Sequence, residues 1–202
     1  MNREDVILFS GGAPGAESAF GACAESHGIE EVNFTFEGHK IERHRGVRVL
    51  NHEELQAGDV SLAYVSRLMH RRYANAPTIR KVLQTLWYQV NNGQEIYVIG
   101  TINDDDTVRG GTGWGAEFAK LCNKPLFVFD QEQDGWFEWS GREWKKRGDA
   151  RYVDEEATWK RRMGQLKYAT QTGPDELPVM GGRVIGHSRL GAWYPADYYS
   201  RG

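Results

Sequence analysis

The sequence is poor in the residues that build disulfide frameworks and zinc sites. It has two cysteines among 202 residues, Cys23 and Cys122, and both fall on the apolar faces of predicted helices. This excludes a disulfide-rich scaffold and favours reduced thiols in a cytoplasmic protein. The six histidines are scattered, without the short spacings of zinc ligands, so we expect no metal site.

Long apolar runs and a strong net charge are also missing. The longest apolar runs have the length of strands, and the charged pair Glu4-Asp5 precedes the first of them, so we expect neither a secretion signal nor a membrane span. The formal net charge is −3 and no basic stripe is evident, which argues against a nucleic-acid partner. We therefore expect a soluble protein that works in the cytoplasm.

Apolar periodicity alternates between strand and helix along most of the chain. The predicted strands are 5–9, 31–36, 47–50, 95–101 and 125–130, and the predicted helices are 16–27, 59–74, 77–92 and 114–123. Because crossovers between parallel strands are right-handed, this order places helices on both faces of a mainly parallel sheet. The fold class is therefore α/β, doubly wound and Rossmann-like. After the last of these strands, the pattern 136–144 predicts an antiparallel β-hairpin turned at Ser140-Gly141.

The most informative segment is a glycine-rich loop between a predicted strand and a predicted helix. Four glycines fall within the six positions 110–115. Because so many glycines would weaken a helix or strand, they indicate that the loop needs a particular backbone conformation. At a helix start, unpaired amides and the helix dipole favour an anion. We therefore expect a phosphate site here, with the amides of residues 111–113 as its donors. Its residues are Gly110, Gly111, Thr112, Gly113 and Trp114.

The same order of strand, glycine loop and helix opens the chain. This first loop follows the predicted strand 5–9. In an open parallel sheet both loops lie at the carboxyl edge, where two loops can flank one nucleotide. The residues expected to contact the ligand here are Ser10, Gly11, Gly12 and Gly15.

Two segments, Ser10–Ser18 and Gly110–Glu117, resemble one superfamily. It joins the lonely-guy phosphoribohydrolases, the DNA-processing protein A domain and the molybdenum-cofactor carrier proteins. From Gly110 onward the chain matches the glycines and the glutamate of the lonely-guy pattern Pro-Gly-Gly-x-Gly-Thr-x-x-Glu, with Val108-Arg109 in place of the proline and Trp114 in place of the threonine. The first loop is closer to the Ser-Gly-Gly-Ala-x-Gly-x-Asp form of the other two branches. The resemblance covers residues 5–130.

This resemblance implies a reaction and the residues that carry it out. In lonely-guy enzymes the glutamate and an upstream arginine cut the N-glycosidic bond of a nucleoside 5′-monophosphate. Glu117 matches the glutamate, and the arginine is either Arg72, in the segment Met69–Arg72, or Arg80. Cleavage builds positive charge at the anomeric carbon, which a carboxylate stabilises. No cofactor or metal is required, and the resemblance implies a homodimer or higher homo-oligomer.

Several candidates also have a purely structural interpretation. Glu117 equally suits a carboxylate that complements the helix dipole. Trp114 shares a helix face with Phe118, so a core position is favoured over stacking on a base. Asp130, at the carboxyl end of a predicted strand, suits a ribose hydroxyl or a helix cap.

The composition divides the chain near residue 150. Residues 1–149 form the predicted Rossmann-like nucleotide-binding domain. Residues 150–202 are polar but end in an aromatic group, Trp193–Tyr199, so we expect an appendage packed on the domain or on a partner subunit. The predicted function is a nucleoside 5′-monophosphate N-glycosidase, and the alternative is a non-catalytic nucleotide or cofactor sensor or carrier.

Overall fold

The computed structural model describes residues 6–73 and 76–147, and the backbone of residues 184–189. Within these residues the chain is a mixed α/β fold of eight strands and five helices. The strands are β1 Val6–Ser10, β2 Glu30–Phe36, β3 Val47–Leu50, β4 Glu95–Gly100, β5 Leu126–Asp130, β6 Gly135–Trp139, β7 Trp144–Lys146 and β8 Val184–Arg189. The helices are α1 Ala16–Ser26, α2 His52–Gln56, α3 Asp59–Leu68, α4 Pro77–Asn92 and α5 Thr112–Leu121.

The described strands form one sheet in the order β3-β2-β1-β8-β4-β5-β6-β7. Neighbours β1, β2 and β3 are parallel, and so are β4 and β5. Strand β8 lies between β1 and β4 and is antiparallel to both, with Gly186 opposite Phe9 on one side and Ile96 on the other. The five strands β1 to β5 therefore share one direction, and the loops that follow β1 and β4 lie at the same edge.

Alternate side chains of β1 enter two different apolar layers. Val6 and Leu8 pack with Phe20 of α1, whereas Ile7 and Phe9 pack with residues of β2 and α4. A further cluster joins α3, α4 and α5 to β4 and β5. Helices thus cover both faces of the sheet, as expected from the alternation of elements.

Most predicted elements are confirmed, including α4 at both ends and the hairpin of β6 and β7. The prediction of a helix over 59–74 is wrong beyond Leu68. His70 takes a left-handed φ of 51°, and the amide of Arg71 turns back to the carbonyl of Ser66. Two elements were not predicted from the sequence: α2, which begins at a capping box, and β8.

The predicted domain boundary at residues 149 and 150 lies outside the described residues. So does the predicted appendage 150–202, apart from the backbone of β8. No helix in the described part of the chain is long and apolar enough to cross a membrane.

Candidate functional site

The second glycine loop leads into α5, with Gly111 as the residue that precedes its first turn. The amides of Gly113 and Trp114 are already engaged, since they donate to the carbonyls of Gly110 and Gly111 at 3.3 and 3.1 Å. The amides of Gly111 and Thr112 donate to no other atom in the described residues. Two of the three predicted amide donors therefore have no partner among the described residues, at the positive end of the helix dipole.

Thr112 adds a hydroxyl to the same helix start. Its side chain is 3% exposed, and within the described residues its Oγ1 has no hydrogen-bond partner. A buried hydroxyl without a partner costs about 1–3 kcal/mol, and such groups are rare in native proteins. Thr112 is therefore a third group at this position whose hydrogen-bonding capacity is unused.

Two glycines of this loop are required by its backbone geometry. Gly110 has a left-handed φ of 75°. A Cβ on Gly113 would lie 2.0 Å from the carbonyl oxygen of Val108, which no side chain could tolerate. Gly111 differs, because its φ of −63° is ordinary and no described atom lies within 4 Å of where its Cβ would be. The space beside Gly111 is therefore open.

The arginine that contacts this loop is Arg71, which was not one of the two predicted arginines. Its guanidinium donates to the carbonyl oxygens of Val108 and Gly110 at 3.2 and 3.3 Å, and to the hydroxyl of Thr107 at 3.0 Å. These bonds hold a cation beside the first turn of α5. Its charge adds to that of the helix start, so both favour an anionic ligand.

In the described residues, neither predicted arginine makes a hydrogen bond to the loop. Arg72 is exposed, and Arg80 donates to Asp59 Oδ2 at 2.5 Å with its guanidinium 4.8 Å from the ring centre of Tyr73. Burial alone would raise the pKa of Asp59, but hydrogen bonds from Tyr73, Gln84 and Arg80 outweigh burial and hold that pKa below its ordinary value. Arg80 thus belongs to a polar cluster that joins α3 to α4.

Glu117 is largely buried on α5, and its Oε1 accepts a hydrogen bond from Lys120 Nζ at 2.7 Å. The same ammonium donates to the carbonyl of Asp106 at 2.7 Å and lies 4.1 and 5.0 Å from the ring centres of Trp139 and Trp144. The indole faces favour the cation and shield the ion pair from water. Within the described residues, Glu117 Oε2 makes no hydrogen bond.

The first glycine loop is closed by its own residues. The amide of Gly12 donates to the Ser10 hydroxyl at 3.3 Å, and the amide of Ala13 donates to Glu17 Oε2 at 2.7 Å. The carbonyl of Gly12 accepts two further amides from the connection between β2 and β3. Glu17, which is 2% exposed, therefore places a carboxylate where the sequence predicts a phosphate.

The other two predicted glycines of the first loop lie around the same carboxylate. A Cβ on Gly11 would come within 2.9 Å of Gln89 Nε2 and 3.0 Å of Glu17 Oε2, so this glycine permits a close approach of side chains. Gly15 has a left-handed φ of 94° and turns the chain into α1. Glu17 was not predicted as a site residue, although its position in the first turn of a helix was a usable signal.

Trp114 and Asp130 have structural roles in this arrangement. Trp114 is 6% exposed within the core, which confirms the favoured interpretation of its helix face. Asp130 is buried and accepts hydrogen bonds from the amides of Ile102, Glu132 and Gln133 at 2.7, 2.9 and 2.7 Å. Its two carboxylate oxygens thus join the end of β5 to the chain that follows β4.

No protein-family model matches the chain, and no curated protein or solved structure is significantly similar to it. In the described residues, no three or more histidine, cysteine or acidic side chains are grouped to hold a metal ion. What the start of α5 offers is two amides, one hydroxyl and one guanidinium, all of which are donors to an anion.

Proposed function

We propose that the start of α5 binds the phosphate group of a nucleoside 5′-monophosphate or a related nucleotide. One observation supports this most directly: two amides and a buried hydroxyl without partners in the described residues occur together at one helix start, beside Arg71. Bonds from such donors to a charged phosphate are stronger than bonds between neutral groups. The open space beside Gly111 gives the ligand access.

The proposal includes a Rossmann-like fold. Five strands of one direction, helices on both faces and a glycine loop at the carboxyl edge support it. Strand β8 is an addition to the Rossmann-like arrangement, because it lies between β1 and β4. The helices that follow these two strands, α1 and α5, lie on opposite faces of the sheet.

The activity we propose is hydrolysis of the N-glycosidic bond. Glu117 lies five residues after Thr112 on α5, which is about 7.5 Å along the helix axis. Its Oε2 is available to stabilise positive charge at the anomeric carbon or to activate water, while Lys120 fixes Oε1. The loop supplies positioning by holding the phosphate. No step in this scheme uses a metal or a cofactor.

A non-catalytic nucleotide sensor or carrier is the second candidate. It is favoured by Arg80, one of the two arginines predicted to assist the departing base, because its guanidinium is bonded to Asp59 between α3 and α4. The ion pair of Glu117 with Lys120 is also compatible with a purely structural carboxylate. In that case the phosphate site would be occupied without turnover.

Binding and turnover are tested separately on the full chain. Calorimetry with adenosine and guanosine monophosphates and with inorganic phosphate measures affinity, and chromatography measures released base. We expect the nucleotides to bind, Arg71→Met to weaken binding at least about tenfold through the loss of a charged donor, and the matched variant Arg72→Met to bind like wild type. Absence of binding in wild type would overturn the proposal.

The two candidate functions give different results with one further variant. If Glu117→Gln keeps its affinity for nucleotide but releases no base, the hydrolase is supported. If wild type binds nucleotide and releases no base from any monophosphate, the sensor or carrier is supported instead.

A further inference from the structure

The chain between β4 and the second glycine loop forms a turn that contains three consecutive aspartates. An antiparallel bridge between Ile102 and Val108 closes this turn, and the amide of Asn103 donates to the carbonyl of Thr107 at 2.8 Å. We call residues 102–108 the aspartate turn. It leads directly into the glycine loop, so its geometry affects the candidate site.

The hydroxyl of Thr107 uses its full hydrogen-bonding capacity. It accepts bonds from Arg71 Nη2 and Asn103 Nδ2, both at 3.0 Å, and it donates to Asp105 Oδ1 at 2.6 Å. The direction of these bonds is fixed, because guanidinium and amide nitrogens are donors and an ionised carboxylate is an acceptor. Asp105 therefore determines where the hydroxyl proton points, and the oxygen's lone pairs remain available to Arg71 and Asn103.

Asp105 reaches Arg71 through this hydroxyl and not by direct contact. Hydrogen bonds from the hydroxyl and the amide of Thr107, together with the charge of Arg71, hold the pKa of Asp105 below its ordinary value. Within the described residues, however, Asp105 and Arg71 form no ion pair. A direct pair would occupy N–H groups of the guanidinium that an anionic ligand needs.

Arg71 keeps donors for a ligand in this arrangement. Its three hydrogen bonds in the described residues go to the carbonyls of Val108 and Gly110 and to the hydroxyl of Thr107. A guanidinium has more N–H groups than these three bonds use. The position of the cation is thus fixed by the protein while part of its donor capacity is still unused.

The aspartate turn is also held from its other side. The carbonyl of Asp106 accepts hydrogen bonds from Lys120 Nζ at 2.7 Å and from Trp144 Nε1 at 2.9 Å. The amide of Thr107 donates to Asp105 Oδ1 at 3.1 Å, so the same carboxylate oxygen binds both the backbone and the hydroxyl of that residue. These bonds limit the movement of Asp105 relative to Thr107.

We infer that Asp105 is a positioning residue of the proposed phosphate site, which acts through Thr107 to fix the guanidinium of Arg71 beside the second glycine loop. This role rests on the proposed function and extends it to a residue outside the ligand contacts. A carboxylate close to an anion site repels the ligand if it acts only as a charge. Its removal would then strengthen binding, whereas the removal of a positioning residue weakens binding.

Calorimetry on the full chain with inorganic phosphate and with adenosine monophosphate distinguishes these two roles. We expect Asp105→Ala to raise the dissociation constant at least about threefold, because the Thr107 hydroxyl is no longer directed. Asp104→Ala is the matched control, since Asp104 is exposed and its side chain makes no hydrogen bond in the described residues. That variant should bind as tightly as wild type or slightly more tightly.

The conservative variant Asp105→Asn separates the acceptor oxygen from the charge. Asparagine keeps an oxygen that can accept from the hydroxyl and the amide of Thr107, so its dissociation constant should stay within about twofold of wild type. Equal weakening in Asp105→Asn and Asp105→Ala would contradict the relay through Thr107. Binding by Asp105→Ala that is as tight as in wild type would overturn the inference.

A double-mutant cycle shows whether Asp105 acts through Arg71. In the Arg71→Met background, Asp105→Ala should cause no further loss of affinity, because the group that it positions is already absent. A loss by the same factor with and without Arg71 would overturn the inference. This result would show that Asp105 supports the loop in general and not the guanidinium.

Urea unfolding without ligand separates this role from the proposed function. We expect the losses of unfolding free energy in Arg71→Met and Asp105→Ala to be non-additive, because the two side chains share the Thr107 hydroxyl. If the losses are non-additive but wild type binds neither ligand, the proposed function fails and the positioning of Arg71 by Asp105 stands. Additive losses would overturn that positioning whatever the protein binds.

Discussion

Removing the hydroxyl of Thr112 should make the free protein more stable and its ligand binding weaker. Thr112 Oγ1 is buried and has no partner in the described residues, so the cost of removing it from water is not repaid. Valine has nearly the same shape without the hydroxyl. The substitution Thr112→Val therefore removes that cost and, at the same time, removes one donor of the proposed phosphate site.

The two effects have opposite signs and can be estimated. An unsatisfied buried hydroxyl costs about 1–3 kcal/mol, so the free energy of unfolding should rise by about 1 kcal/mol or more. In a chain of this size that corresponds to an unfolding temperature about 2–4 °C higher. A hydrogen bond to a charged group contributes about 1.5–3 kcal/mol, so the dissociation constant for a nucleotide should rise about tenfold or more.

Thr107 provides a matched control, because it is nearly as buried but its hydroxyl is satisfied. Its Oγ1 accepts a hydrogen bond from Arg71 Nη2 at 3.0 Å and donates one to Asp105 Oδ1 at 2.6 Å. Thr107→Val should therefore lower the free energy of unfolding by about 1–3 kcal/mol. Urea unfolding without ligand and calorimetry with a nucleoside monophosphate measure both quantities. A destabilised Thr112→Val protein, or one with unchanged affinity, would refute the assignment of this hydroxyl to the ligand.

Three other predictions concern the fold around the site. Gly113→Ala should lower the free energy of unfolding in urea by about 2 kcal/mol or more, because the added Cβ would collide with the Val108 carbonyl oxygen. The control Gly111→Ala should change that free energy by no more than about 0.5 kcal/mol, and equal losses in the two variants would contradict the loop geometry. Asp59 has a lowered folded pKa, so the stability it contributes is present above its unfolded pKa of 3.8 and is lost as pH falls through the lower, folded pKa. In an acid titration, Asp59→Asn should be less stable than wild type near neutral pH, and the difference should shrink as the pH falls below 3.8; a constant difference would exclude this linkage. Gly186→Pro should greatly reduce the unfolding temperature, because proline breaks the hydrogen-bond ladder of a central strand. An unchanged unfolding temperature would show that β8 does not join β1 to β4.

The parts of the fold that could be predicted are those where local pattern and burial agree. Helix α4 has a proline in its first turn and an apolar face, and both ends were predicted correctly. Strand β8 could not be found in this way, because Val184–Arg189 contains few apolar residues and its partners β1 and β4 are distant in sequence. The early end of α3 depends on the left-handed turn at His70, which no periodicity indicates.

The glycine loop of the candidate site was predicted from the sequence, but the arginine that contacts the loop was not. The glycine pattern located the loop, and two of its amides have no hydrogen-bond partner within the described residues. Arg71, Arg72 and Arg80 all lie in basic runs at comparable distances from the loop in sequence, so the pattern cannot rank them. The turn at His70 selects Arg71, because it directs that residue to the carbonyls of Val108 and Gly110.

The two glycine loops show that the same order of strand, loop and helix does not determine whether the protein's own groups engage the loop amides. Each loop is followed by a glutamate, but α1 begins at Ala16, so that Glu17 is its second residue, whereas α5 begins at Thr112, so that Glu117 is its sixth. A carboxylate in the first turn can turn back and accept the loop's own amide, as Glu17 does from Ala13. A carboxylate one turn later cannot reach the helix start, and Glu117 instead pairs forward with Lys120. The position of the acid relative to the first residue of the helix therefore determines whether it accepts a hydrogen bond from the loop's own amides.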